Sequence, residues 1–107
     1  SMVMTDHIQD KLAEMCVPPI SEYDGDLQAC WAIPRKVEKK KTRNDKHYFV
    51  VTLIDSNSVE TRIRCWSVNP DKDIIYINRP YMLKPKYSLD WGFSTYGRVD
   101  QAWVLLG

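Results

Sequence analysis

No apolar run in the chain approaches the ~20 residues that a membrane-spanning helix needs, and the first residues lack the basic, apolar and small-residue zones of a signal peptide. No membrane partner is expected, and the cytoplasm is the expected compartment. Cysteine is scarce and poorly spaced for cross-linking, because Cys16, Cys30 and Cys65 are odd in number, far apart and set among apolar neighbours. That pattern suits reduced, small core residues and argues against a disulfide framework. There is no C-x-x-C pair, and neither His7 nor His47 has a partner at ligand spacing, so neither a zinc site nor a cofactor is expected. No G-x-S-x-G motif places a hydrolytic serine. The acids are scattered through turns and linkers instead of gathered around catalytic metals, so the chain does not read as an enzyme.

What is present is an ordinary globular composition, 27% charged and 44% hydrophobic, in 107 residues. That length allows one small core and no second one. The formal net charge is only +1, yet the cations cluster between Arg35 and Lys46. Charge acts through its distribution, so the cluster is the usable signal. Ser1-Met2 reads as what a cleavage step leaves behind, and the expected division is a helix and linker over 3–26 followed by the main domain over 27–107. A domain excised from a longer chain fits this pattern.

Along TDHIQDKLAEMC, Ile8, Leu12 and Met15 fall at helical spacing, with Thr5 or Asp6 available as N-cap, and Val17-Pro18-Pro19 is expected to end the helix. From Leu27 the pattern turns to strands. LQACWAIPRKV alternates loosely up to Pro34, and HYFVVTLI is the strongest strand, with Phe49, Val51 and Leu53 inward and Tyr48, Val50, Thr52 and Ile54 on the other face. A tight turn at Asp55-Ser56-Asn57-Ser58 leads to VETRIRCW, in which Val59, Thr61, Ile63 and Cys65 oppose Glu60, Arg62, Arg64 and Trp66. SVNPDKDIIYINR breaks the rhythm. YMLKPKYSLDW resumes an extended pattern across Pro85, GFSTYG reads as a glycine-bracketed loop, and VDQAWVLL supplies a last strand. A short helix followed by five antiparallel strands without βαβ units predicts an all-β fold, a small closed barrel.

The stretch KKKTRNDKHYFVVTLIDSNS joins a basic loop at Lys41-Thr42 to an apolar strand ending Val51-Thr52-Leu53-Ile54-Asp55. It resembles the OB-fold domain of the bacterial or phage DNA polymerase III alpha subunit family, of the tRNA-anticodon-binding type. The family's loop and turn glycines are here Asn44-Asp45 and Ser56-Asn57-Ser58, of which Asn and Asp tolerate positive φ. The resemblance implies a non-catalytic module that helps a replicative polymerase hold single-stranded DNA, with RNA as the alternative ligand and other domains of a longer parent chain as partners.

An OB-type barrel binds nucleic acid across its second and third strands and the flanking loops. The expected contacts are Lys39, Lys40, Lys41, Arg43 and Lys46 at a positive rim, Arg62 and Arg64 on the face beside Tyr48, and Phe93 and Tyr96 as base platforms. Trp31, Phe49 and Trp103 are expected in the core. Tyr48 and Trp66 are equally open to packing or stacking, and His47 reads as a rim residue. The competing reading is a docking module whose barrel face, mildly apolar through Val50 and Ile54, receives a protein or another domain.

Overall fold

Helix α1 spans Asp6–Glu14 in the computed structural model, which describes residues 6–25 and 28–107. Thr5 and the expected domain start at Leu27 lie outside the described residues. Leu12 is buried and Ile8 packs beside it, whereas Met15 is exposed. The helix stops before the prolines are reached. Cys16 takes a left-handed φ of 58°, the Cys16 N–H donates to Ala13 O at 3.1 Å and the Val17 N–H to Leu12 O at 2.9 Å. These are the paired bonds of a Schellman motif, completed by the apolar contact between Val17 and Leu12. A cysteine in place of the usual glycine hides that stop from sequence reading. It also leaves Cys16 exposed, which corrects its expected core position; Cys30 and Cys65 are buried, and burial pushes both thiols up to about 12.

After a short 3-10 turn at Ile20–Glu22 come seven strands: β1 Cys30–Lys41, β2 His47–Ile54, β3 Thr61–Trp66, β4 Tyr81–Leu83, β5 Lys86–Ser88, β6 Gly92–Tyr96 and β7 Trp103–Leu105, with the single-turn helix α2 Val99–Ala102 before β7. They form one curled mixed sheet in the order β5-β6-β3-β2-β1-β4-β7. The fold is mostly β, as the patterns predict, but it has seven strands among the described residues instead of five. Pro85 cannot donate a ladder bond and splits 81–88 into β4 and β5. Gln101 and Ala102 donate to Arg98 O at 3.0 Å, closing a helical turn that detaches β7 from the segment before it. Nor is the sheet wholly antiparallel, because β3 and β6 run parallel, Ile63 opposite Phe93 and Trp66 opposite Tyr96. GFSTYG is therefore a strand and not a loop. It is bracketed by Gly92 and Gly97, whose φ values of 71° and 107° suit glycine at a strand entry and exit.

One irregularity in β1 decides which way its lysines point. Pro34 pairs with Leu53 and Lys36 with Thr52, so Arg35 is an extra residue, a bulge next to a proline that has no N–H to give. Before the bulge Cys30 and Ala32 face the core; after it the parity is reversed, Val37 packs inward and Lys36, Glu38 and Lys40 face outward. Lys39, Lys40 and Lys41 are thus part of the strand and not of the loop, which comprises residues 42–46.

The main core fills the concave side of the sheet with Ile20, Phe49, Val51, Leu53, Ile63, Leu83 and Trp103 among others. Trp103 satisfies its indole N–H on Thr95 Oγ1 at 3.0 Å. A second, smaller core lies on the outer side of β1, where Leu12 and Val17 cover Trp31 and Ile33, with Ile54 and Met82 at its edge. Trp31, Phe49 and Trp103 are buried as expected. Helix α1 therefore shields one half of the outer face of β1 and β2 and leaves the Lys40–Tyr48 half bare. The surface expected from Val50 and Ile54 does not exist, since Val50 is buried and Ile54 packs against this second core.

Two buried carboxylates tie the irregular parts to the sheet. Asp55, 2% exposed, accepts the Ser21 N–H at 2.8 Å and the Asn57 N–H at 2.9 Å, joining the 3-10 turn to the β2–β3 turn. Asp73 accepts the Asn69 N–H at 2.7 Å and both of its oxygens lie within 2.9 Å of Arg98 Nε, joining the 67–80 connection to α2. Burial pushes the Asp73 carboxyl up, but the Asn69 N–H and the Arg98 guanidinium outweigh it and hold it below the usual range.

Candidate nucleic-acid interface

The bare half of the outer face is built by cross-strand pairing. Lys40 of β1 lies opposite Tyr48 of β2, Tyr48 opposite Trp66 of β3, and Trp66 beside Tyr96 of β6. Because side chains alternate along each strand, this register sends all of them to one surface. Tyr48 and Trp66 stack with ring centroids 4.4 Å apart and planes 24° apart. Tyr96 is 59% exposed and carries the Lys86 ammonium 5.8 Å from its ring centroid.

Two loops flank this row: residues 42–46 between β1 and β2, and residues 89–91 between β5 and β6. The first is closed by the Thr42 N–H on Lys46 O at 2.9 Å and the Asp45 N–H on Thr42 O at 3.0 Å, with Asp45 at φ 60°. That left-handed position is one an aspartate tolerates, because its short polar side chain can bond to the local backbone. The second loop holds Leu89, 92% exposed, and Trp91, 63% exposed. Arg64 of β3 fixes it, donating from Nη1 to Trp91 O at 2.8 Å with its guanidinium carbon 5.5 Å from the Trp91 ring. A groove of about 560 Å³ results, lined by the rings of Trp66, Tyr87, Trp91 and Tyr96 together with Lys46 and Lys86. Among the described residues no Asp or Glu lines it.

The residues singled out from sequence fall into three groups. Lys46, Tyr48, Arg64 and Tyr96 gather in or beside this groove, although Arg64 holds Trp91 instead of reaching for solvent. Lys39, Lys40, Lys41, Arg43 and Arg62 lie outside its lining. Lys36, Lys40 and Arg62 surround Glu38 at 3.9, 3.8 and 3.7 Å, and Lys41 faces Asp45 at 3.5 Å. Lys39 turns to the other side of β1, where it donates to Pro70 O at 2.9 Å and lies 6.0 Å from the Phe49 ring centroid. Phe93 is half-buried and packs against the main core between Tyr23 and Tyr87, at 6.0 and 5.1 Å, so its ring is not the free loop-tip platform that the sequence suggests.

Sequence reasoning passed over Lys86, Tyr87 and Trp91. The available signal was Lys84-Pro85-Lys86, whose period of two sends both lysines to one side of a buried proline, and a tryptophan placed directly before a turn glycine. Comparison of the chain with protein-family models, curated proteins and solved structures finds no match.

Proposed function

We propose that the protein is an OB-type barrel that binds single-stranded nucleic acid across the groove between loops 42–46 and 89–91. The observation that carries this reading is the composition of the groove: the half-buried Trp66 of β3 in register with the exposed Tyr96 of β6, the exposed Tyr87 and Trp91 beside them, Lys46 and Lys86 in the lining, and no carboxylate among the described lining residues. Ring faces accept bases of any kind, and unopposed cations accept phosphates. Topology supports the barrel. β4 and β5 stand at or next to opposite ends of the ladder yet follow one another through Lys84-Pro85, so the chain itself bridges the curl. Taken as one bent stave, they leave five staves around the core, β7 being an appendage to β4. The two loops then occupy the places where such barrels flank their ligand. In a longer parent chain of the replicative polymerase kind, which Lys39–Ser58 resembles, this face would hold unwound template.

The test is fluorescence anisotropy of labelled single-stranded DNA and RNA at several salt concentrations. Binding that weakens linearly in log–log form as salt rises supports the reading. Absence of binding at low salt refutes it.

A second reading has its own observation. Ile74, Tyr76, Val104 and Leu105 are all exposed and line a groove at the free side of β7, alongside Asp73 and Asp100. That surface, whose carboxylates are matched by Lys72 and Arg98 among its apolar groups, has no net positive charge to attract a polyanion and fits protein or interdomain docking better. It predicts association that high salt leaves largely intact.

A further inference from the structure

A second groove of about 470 Å³ adjoins the first and shares Lys86, Ser94 and Tyr96 with it. It runs on over Lys84 toward Gln101, with Met82, Ala102 and Val104 as its apolar part. It too is lined by no Asp or Glu among the described residues, whereas grooves elsewhere on the molecule contain Glu22, Asp73 with Asp100, or Asp71. Neither Lys84 nor Lys86 lies within 4.0 Å of a carboxylate among the described residues.

We infer that the two grooves form one continuous binding track, and that Lys84 and Gln101 make a second subsite for the same single strand beyond Tyr96. The inference rests on the nucleic-acid reading of the first groove. The reason lies in the buried Pro85, which breaks β4 from β5 and sets the lysines on either side of it, exposed and flanking the point where the grooves meet. A strand leaving the aromatic row at Tyr96 passes Lys86 and meets Lys84 as its next unopposed cation. Gln101, carrying both a donor and acceptors, offers its amide to a base edge or a sugar. The ligand is a single strand longer than the first groove can hold.

The experiment compares oligothymidylates of roughly 4 and roughly 12 nucleotides, a short and a long ligand within the ~4–16 nucleotides usual for one such barrel. The wild-type chain, Lys84→Ala, Gln101→Ala and, as a control in the first groove, Trp66→Leu are titrated at several salt concentrations. Thermal melting confirms that each variant is folded. The expected result is that Lys84→Ala leaves the short oligonucleotide unaffected, loses much of the affinity gained on lengthening, and flattens the long-strand salt slope by about 0.7, one phosphate contact. Gln101→Ala should lose part of the length gain with the slope unchanged. Trp66→Leu should weaken both lengths. The inference is overturned if the wild type gains nothing on lengthening, or if Lys84→Ala acts equally on both lengths or on neither. Failure of the underlying reading looks different, since then neither oligonucleotide binds or Trp66→Leu has no effect, and the second subsite falls with the first.

Discussion

The lysine-rich end of β1 and the groove beside β6 relate charge to counter-charge in opposite ways. In β1, Lys36 and Lys40 share Glu38 with Arg62, Lys41 faces Asp45, and Lys39 is drawn onto the Pro70 carbonyl. In and beside the groove, Lys46, Lys84 and Lys86 are fewer and more dispersed in sequence, yet no carboxylate among the described residues lines the surface they border. A run of cations in a sequence therefore says little about the field it makes. Attraction for a polyanion depends on the net charge within about a Debye length, ~10 Å at moderate salt, and three-dimensional pairing decides that.

The comparison breaks most visibly at the rings. Replacing both Trp66 and Tyr96 with leucine should weaken single-strand binding by about 1–3 kcal/mol for each ring that stacks on a base, with the salt slope nearly unchanged. Anisotropy titration of the two single variants and the double variant measures this. An affinity equal to wild type would mean that the groove is not where bases sit.

The lysines test the contrast directly. Alanine at Lys46, Lys84 and Lys86 together should flatten the long-strand salt slope by about 2, three contacts at about 0.7 each. Alanine at Lys39, Lys40, Lys41 and Arg43 together should flatten it by less than about 1, although it removes more charge. A larger change from the β1 set would reverse the comparison.

The carboxylates absent from the grooves are used elsewhere as structural ties, and Asp73 offers a pH test of that. Its folded pKa lies below the ordinary value, so its contribution is present above the unfolded value of about 3.9 and is lost as pH falls through the folded one. Asp73→Asn should cost about 1–3 kcal/mol at neutral pH, because Arg98 loses its charge partner. Urea unfolding across pH should show the gap between variant and wild type narrowing below pH about 4. A gap independent of pH would mean that packing, and not charge, ties the connection to α2.

The smallest effect is expected at Glu38. Glu38→Gln releases Lys36, Lys40 and Arg62 while changing stability by less than about 1 kcal/mol, as is usual for exposed pairs. Binding should tighten modestly and the salt slope should steepen. An unchanged slope would show that β1 lies beyond the reach of the strand even when its charge is freed.

Much of the fold can be read from the chain alone, because it depends on local periodicity. Phe49, Val51, Leu53, Ile63 and Cys65 declare an inward face at a spacing of two, and each of them is buried. Leu12 and Ile8 declare a helix, and Asn69-Pro70-Asp71 marks a break in the strand rhythm that fits either a turn or a short helix, where the structure has a turn closed by the Asp71 N–H on Asn69 Oδ1 at 3.0 Å. The helix stop at Cys16 was not legible, since a left-handed cysteine held by its neighbours carries no mark in composition. Nor was the role of Asp55: an acid in a turn looks solvated until the 3-10 turn at Ser21 is folded onto it.

The candidate site divides along the same line. That β2 and β3 present Tyr48, Arg64 and Trp66 to one surface follows from the alternation of the sequence, whatever the rest of the chain does. Tertiary structure decided which of the residues around them are available. The bulge at Arg35 reverses the parity of β1 and sends Lys39 away from Lys40, Glu38 neutralises cations drawn from two strands, and α1 covers the Ile54 end of the face. The parallel pairing of β3 with β6 brings Tyr96 beside Trp66, 30 positions along the chain, and Arg64 holds Trp91 over the gap. Period and propensity act over a few residues, whereas charge pairing and groove shape depend on which distant segments meet.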